Sequence, residues 1–193
     1  MDGELIVVDG RAWKANLDCS LVQPEASART PYAVVVPFST GDPVALDGPV
    51  DEPQLERWLT DRLGRPGRPV AVRIDGRFDQ LRVRSVPRQE PPYPALAEAI
   101  AHQHICELTD VSGSMVGFCF PSALDGIELL GWHLHFASGD RRVGGHVLGC
   151  RLHSGQVYID PATELHVELP PAVDAHHGGP VDQDALRRME SDA

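Results

Sequence analysis

Residues 129–150 read Leu-Leu-Gly-Trp-His-Leu-His-Phe-Ala-Ser-Gly-Asp-Arg-Arg-Val-Gly-Gly-His-Val-Leu-Gly-Cys. His133 and His135 stand one residue apart in an aromatic and aliphatic run that reads as a strand. Side chains alternate across a strand, so both imidazoles share one face while Trp132, Leu134 and Phe136 take the other. Ser138 to Val143 is polar and contains glycine, as a connecting loop does, and Gly144 to Leu152 reads as the returning strand. A hairpin symmetric about that loop sets residues whose numbers sum to 281 opposite one another, and so pairs His135 with His146. Opposed side chains have Cβ atoms about 5 Å apart. Three imidazoles then converge on one patch, the donor set of a three-histidine metal site with open coordination positions. A lone His-x-His pair is commonly no more than a polar strand face; the third histidine gives the pattern its weight. Gly144 and Gly145 add to it, because glycine lets backbone or ligand come close.

Outside this hairpin, the other chemistry-bearing residues look ordinary by themselves. Glu4 is a strand-end carboxylate. Arg82 and Arg84 alternate with Leu81 and Val83, as arginines do on a water-facing strand. Glu190 lies near the C-terminus, where a carboxylate is usually solvated.

A resemblance changes that reading. Gly131-Trp-His-Leu-His-Phe136 followed by Gly144-Gly-His-Val147 closely resembles the zinc-binding segment of bacterial α-acetolactate decarboxylases, including the eleven-residue step from His135 to His146. It extends over nearly the whole chain. Asp2-Gly-Glu-Leu-Ile6 matches a family signature whose glutamate lies at the active site, which makes Glu4 the equivalent residue. Family members usually carry a further segment before that signature, so the chain resembles an N-terminally short member. Arg73-Ile-Asp-Gly76 and then Val83-Arg84-Ser85 fit a family pattern in which a strand ends in an arginine that reaches the substrate. A guanidinium suits that task because its planar donors grip both oxygens of a carboxylate. The Leu186-to-Glu190 step is consistent with a short terminal segment bearing an active-site glutamate. Residues 105–121 resemble the strand pair leading into the second half of the family fold.

Composition sets the bounds. At 193 residues with 42% hydrophobic content, the chain can bury one globular core, or two closely packed halves. Its 17 prolines and 18 glycines imply many turns and short strands rather than a helical bundle. A net charge of −11 supplies no basic excess for nucleic acid or an anionic membrane. No apolar run is long enough to span a bilayer, and no charged-then-apolar leader precedes the first strand. Cys19, Cys106, Cys119 and Cys150 lie far apart, so reduced thiols in a cytoplasmic protein are expected rather than disulfides.

The expected class is therefore α+β and β-rich. A mixed β-sheet half would pack on a small antiparallel β-barrel-like half, with few short helices. Residues 1–104 would form an N-terminal β-sheet subdomain with two helices, and residues 105–193 a C-terminal barrel-like subdomain carrying the metal-binding hairpin. Asp9-Gly10 is a hairpin signal, with Arg11 to Lys14 beginning the return strand. Residues 31–38 read as a strand rich in β-branched residues. Asp51 to Leu63 has helical spacing, with Leu55, Trp58, Leu59 and Leu63 on one side, Pro53 in the first turn and Gly64 as the stop. Residues 69–86 read as two strands around Asp75-Gly76. Ala95 to His102 reads as a short helix, in which His102 and His104 would not face together. Gly126 to Leu130 enters the histidine hairpin. Gln156 to Ile159 and Leu165 to Leu169 read as strands, Pro170 to Pro180 as a loop, and Asp182 to Glu190 as a short amphipathic helix. His153 and His166 read as surface residues.

The resemblance implies a carboxy-lyase that converts 2-acetolactate, a 2-hydroxy-3-oxo acid, to acetoin. Zinc (Zn2+) or another divalent metal would be held by His133, His135 and His146. Arg84, Glu4 and Glu190 would be the catalytic side chains, no organic cofactor is required, and a homodimer is allowed. Two alternatives come from other classes. A cupin-like metalloprotein also uses His-x-His and a later histidine, but cupins usually place a glutamate where Ala137, Ser138 and Gly139 stand here. A catalytically degenerate relative would bind a small ligand without turning it over. A structural zinc site is disfavoured, because no fourth cysteine or histidine has a suitable spacing.

Overall fold

A computed structural model describes residues 2–30, 32–39, 41–63, 67–90, 94, 96–124 and 131–167. Strands β1 (Glu4–Val8) and β2 (Arg11–Ala15) form a hairpin, and the two-residue strand β3 (Leu21–Val22) completes a three-stranded sheet. The turn residues Asp9 and Gly10 both have positive φ, 53° and 69°. That is the requirement of a tight two-residue hairpin turn, and it is why Asp-Gly is favoured there.

A second sheet holds β4 (Val44–Asp51), β5 (Val70–Ser85), β6 (His104–Phe120), β7 (Gly131–Ser138) and β8 (Gly144–Pro161) in the order β4-β8-β5-β6-β7. It takes two strands from the first hundred residues and three from the remainder. β7 and β8 also pair directly beside their connecting loop. The fold is β-rich with few short helices, as expected. Both sheets are antiparallel rather than mixed, and neither closes into a barrel.

Helix α1 (Glu52–Leu63) starts on a reciprocal cap. The Asp51 carboxylate accepts from the Gln54 backbone N–H at 2.9 Å, and the Gln54 side-chain oxygen accepts from the Asp51 N–H at 3.0 Å. Two donors orphaned at the helix start are thereby satisfied. Leu55 and Leu59 are fully buried on the sheet, each contributing roughly 1.5–3 kcal/mol by area. Trp58 packs at the margin of the core, with the Arg62 guanidinium 4.5 Å from its ring centroid. A second helix, α2 (Leu96–Ile100), ends before His102, and His104 already belongs to β6. No helix among the described residues is long and apolar enough to cross a membrane.

Four expectations need correction. Asp75-Gly76 is no turn: β5 runs unbroken through it. There β5 is flanked on both sides, Asp75 by Ser114 and Gln156, Gly76 by Gly113 and Gly155. Two hydrogen-bonded ladders outweigh a local turn preference. The glycine serves close approach, since a Cβ would come within 2.6 Å of the Ser154 carbonyl oxygen. β6 is likewise one 17-residue strand rather than a pair. Residues 32–38 and 165–167 form no strand. Val35, Leu165 and Val167 are largely exposed, and a β-branched composition without a partner edge gives no ladder. Finally, Cys19 and Cys106 form a disulfide across 87 residues, where free thiols were expected. The folded chain, not sequence spacing, brings them within 6.6 Å between Cα atoms. Cys119 and Cys150 are free thiols. The expected lead-in at 126–130, the loop at 170–180 and the helix at 182–190 lie outside the described residues.

The main core includes Phe78, Leu81, Met115, Leu134, Phe136 and Leu152. Phe78 and Phe136 meet edge to face with centroids 5.4 Å apart, an arrangement worth about 0.5–1.5 kcal/mol beyond area burial. A smaller cluster of Ile6, Val8, Ala15, Leu21 and Ala137 binds the N-terminal sheet onto β7. Truncating Phe78 to alanine is expected to cost about 3–5 kcal/mol. The loss should read as a lower urea midpoint at unchanged slope, and an unchanged midpoint would contradict this packing.

Candidate metal centre

The site grows from the turn between β7 and β8. Arg141 takes a positive φ of 58°, and the Ser138 hydroxyl accepts from the Arg142 and Val143 backbone N–H groups at 3.1 Å each. Ser138 also donates its own N–H to the Val143 carbonyl. The closed loop fixes the register: His135 lies opposite His146, Phe136 opposite Gly145 and Ala137 opposite Gly144. That is the pairing predicted from hairpin symmetry. Leu134 and Phe136 point into the core and the histidines point to the opposite face.

All three rings converge. Centroid separations are 5.0 Å for His133–His135, 4.7 Å for His133–His146 and 5.4 Å for His135–His146. One nitrogen from each ring lies within 4.8 Å of the other two, so the group could hold a metal ion. His133 and His135 aim Nε2 at each other across 3.1 Å. His135 Nδ1 lies 2.9 Å from the Leu5 carbonyl oxygen. A carbonyl only accepts, so Nδ1 carries the proton and Nε2 presents its lone pair inward. Metal-ligating imidazoles are usually oriented by this kind of outer contact.

Close backbone approach makes the cluster compact. A Cβ on Gly145 would collide with the Arg84 carbonyl, one on Gly144 with that of Phe136, and one on Gly117 with that of His133. Gly144 and Gly145 were legible as positions of this type; Gly117 was not singled out.

Two charged residues complete the group. β1 brings Glu4 to 3.7 Å from His135 Nε2 through one carboxylate oxygen, and to 3.5 Å from Arg84 Nη1 through the other. Arg84 lies opposite His146 on β5 and is almost fully buried, at 3% exposure, with Glu4 at 12%. Arg82, two residues earlier on β5, is 40% exposed and lies near Glu107. Strand alternation alone could not separate the two arginines. The overlying β1–β2 hairpin does: Gly3 donates to the Val86 carbonyl, and Ser85 Oγ donates to that of Ala15, closing the end of β5 that holds Arg84. Glu190 lies outside the described residues. His153 is half exposed and bonded to Asp79, His166 is exposed, and neither joins the cluster. The Leu5 carbonyl was missed because a main-chain acceptor leaves no mark in a sequence.

Burial and the neighbouring His133 and His146 hold the His135 pKa well below its ordinary 6.5. Neutral imidazole is the ligating form, so His135 stays able to bind a metal into moderate acid. The same depression has a stability consequence. The unfolded chain takes up a proton near 6.5 and the folded one only at lower pH, so stability falls as pH drops through and below 6.5. The metal-free protein should therefore lose melting temperature between about pH 7 and pH 5, and His135→Gln should flatten that slope. An unchanged slope would show that His135 is not buried in its neutral form.

The chain is similar to known proteins over most of its length. A sequence model of the family described as alpha-acetolactate decarboxylase matches residues 1–178. A Methanosarcina mazei protein named alpha-acetolactate decarboxylase is 33% identical over 98% of this chain and 67% of its own length. One of the same name from Methylococcus capsulatus is 34% identical over 88% of this chain and 65% of its own. The chain thus spans about two thirds of the length of these curated relatives. The crystal structure of alpha-acetolactate decarboxylase from Bacillus subtilis superposes with a TM-score of 0.92 at 29% identity, covering 98% of this chain and 82% of that one. A match over that extent, in sequence and in fold, shows that the chain belongs to the alpha-acetolactate decarboxylase family.

Proposed function

We propose that this chain decarboxylates 2-acetolactate to acetoin, using a divalent metal ion, zinc above others, held by His133, His135 and His146. The observation that carries the reading is the convergence of three imidazoles beside a buried Glu4–Arg84 pair in a member of this family. Three neutral nitrogen donors suit zinc, and three protein ligands leave coordination positions for oxygens. When bound, the ion supplies a Lewis acid for the substrate's ketone and hydroxyl oxygens.

The chain's own residues do the rest. Arg84 receives the substrate carboxylate: its guanidinium donates two parallel hydrogen bonds, and burial strengthens them. As carbon dioxide leaves, the bonding electron pair moves onto the adjacent carbonyl, and the carbon must then gain a proton. Glu4 lies between His135 and Arg84, where a carboxyl can hold that proton and deliver it from one side. One-sided delivery sets the handedness of acetoin. Glu190 is the proposed second carboxylate. The cluster is enclosed by the β1–β2 hairpin, which limits access of water to the carbanionic carbon.

Purified protein should form acetoin from racemic 2-acetolactate, lose that activity to a chelator, and regain it with zinc. Metal-loaded protein that binds a substrate analogue but forms no acetoin would mark a non-catalytic relative and defeat the enzyme reading. His133→Ala should abolish metal binding. Glu4→Gln should lower kcat about a hundredfold with KM little changed. Arg84→Lys keeps the charge but loses the planar fork, and should act mainly on KM.

A further inference from the structure

The β1–β2 turn carries a contact that the proposed chemistry does not use. Asp9 Oδ1 is 2.7 Å from Arg73 Nη1 on β5, and Asp9 Oδ2 is 2.8 Å from Arg141 Nη2 in the β7–β8 loop. One carboxylate therefore joins the turn of the N-terminal hairpin to both elements that bear the site. Each arginine is itself held. Arg73 Nε bonds Asp75, and Arg141 Nη1 donates to the Ala137 and Ser138 carbonyls at 3.2 and 3.1 Å. Building on the proposed function, we infer that Asp9 is a positioning residue: its clasp on Arg73 and Arg141 holds the β1–β2 hairpin so that Glu4 and the Leu5 carbonyl stay seated on Arg84 and His135.

Leverage is the physical reason. The open end of the hairpin is hinged at the end of β5, through Gly3 to Val86 and Ala15 to Ser85. At about 3.3 Å per residue, Leu5 lies roughly 7 Å from that hinge and Asp9 roughly 20 Å. A swing that lifts the tip by a given distance lifts Leu5 by about a third of it. Restraint at the tip therefore fixes the site residues about three times as finely as it fixes Asp9 itself. Apolar packing of Ile6 and Val8 resists lifting, yet it is non-directional and tolerates small slides and rolls. Ion pairs with bonded arginines do not. Asp9 is half exposed, so its pairs add little to global stability; their effect is local order.

Asp9→Asn isolates the charge, because asparagine also adopts the left-handed conformation and Asn-Gly is a favoured hairpin turn. Zinc-loaded Asp9→Asn is expected to show about fivefold lower kcat with KM within twofold and an unchanged melting temperature. In a Glu4→Gln background the same substitution should cost less than it does alone, since one of the two groups it positions is gone. The second readout needs no turnover. In metal-free protein, solvent exchange of the His135 Nδ1 proton and of the β1 amides should quicken severalfold in Asp9→Asn, and likewise in Arg141→Gln. Losses that multiply with Glu4→Gln, or unchanged kcat together with unchanged exchange, would overturn the inference. If the native protein makes no acetoin, the proposed function fails, and the exchange data alone decide: faster exchange sustains the positioning role, unchanged exchange ends it.

Discussion

Register is the constraint on which this molecule depends. A strand presents alternate residues to opposite faces, so one residue of slip between β7 and β8 would send His146 into the core and Val147 or Gly145 to the metal face. The pairing of His135 with His146 is held by a closed loop at Ser138 and by glycines whose missing Cβ atoms let neighbouring backbones nearly touch. The same pairing decides the apolar side. Leu134 and Phe136 are buried because the histidines are not on their face. Site and core are thus two readings of one ladder, and neither can shift without the other.

The donor hairpin was legible because everything needed to build it is local: a His-x-His step, a short polar loop and a return strand. The Asp9-Gly10 turn and the helix from Asp51 were legible for the same reason. Failures came where tertiary partners decide. Asp75-Gly76 has the same dipeptide as Asp9-Gly10 and the opposite fate, since β5 at that point is flanked on both edges and β1 at its tip has free chain to turn. The Cys19–Cys106 disulfide spans 87 residues and joins the segment after β2 to β6, a meeting that no spacing rule anticipates. Arg82 and Arg84 alternate identically, yet only Arg84 is covered, and the covering element lies about 70 residues upstream. For Glu4 and Arg84 it was the family resemblance, not the residues themselves, that pointed to the site.

Burial of Glu4 and Arg84 is costly for each alone, and their mutual proximity offsets only part of that cost. At 3.5 Å the two side chains lie side by side, so the charges are buried together. The proposed roles draw on both charges, Arg84 to meet a substrate carboxylate and Glu4 to exchange a proton.

The converging group holds imidazoles and no thiol. Cys119 and Cys150 are the free thiols, and burial pushes them up to about 11 and 12, aided by the nearby carboxylates of Glu56 and Glu52. At neutral pH they are uncharged. Thiolates would donate negative charge to an ion and blunt its pull on substrate oxygens. Three neutral imidazoles leave a divalent ion its full formal charge, and one carboxylate balanced by one guanidinium adds no net charge nearby. A site meant to hold a metal only for structure gains from charged ligands. The proposed reaction must stabilise the electron pair left by departing carbon dioxide and so gains from neutral ones, and imidazoles are what the β7–β8 hairpin supplies.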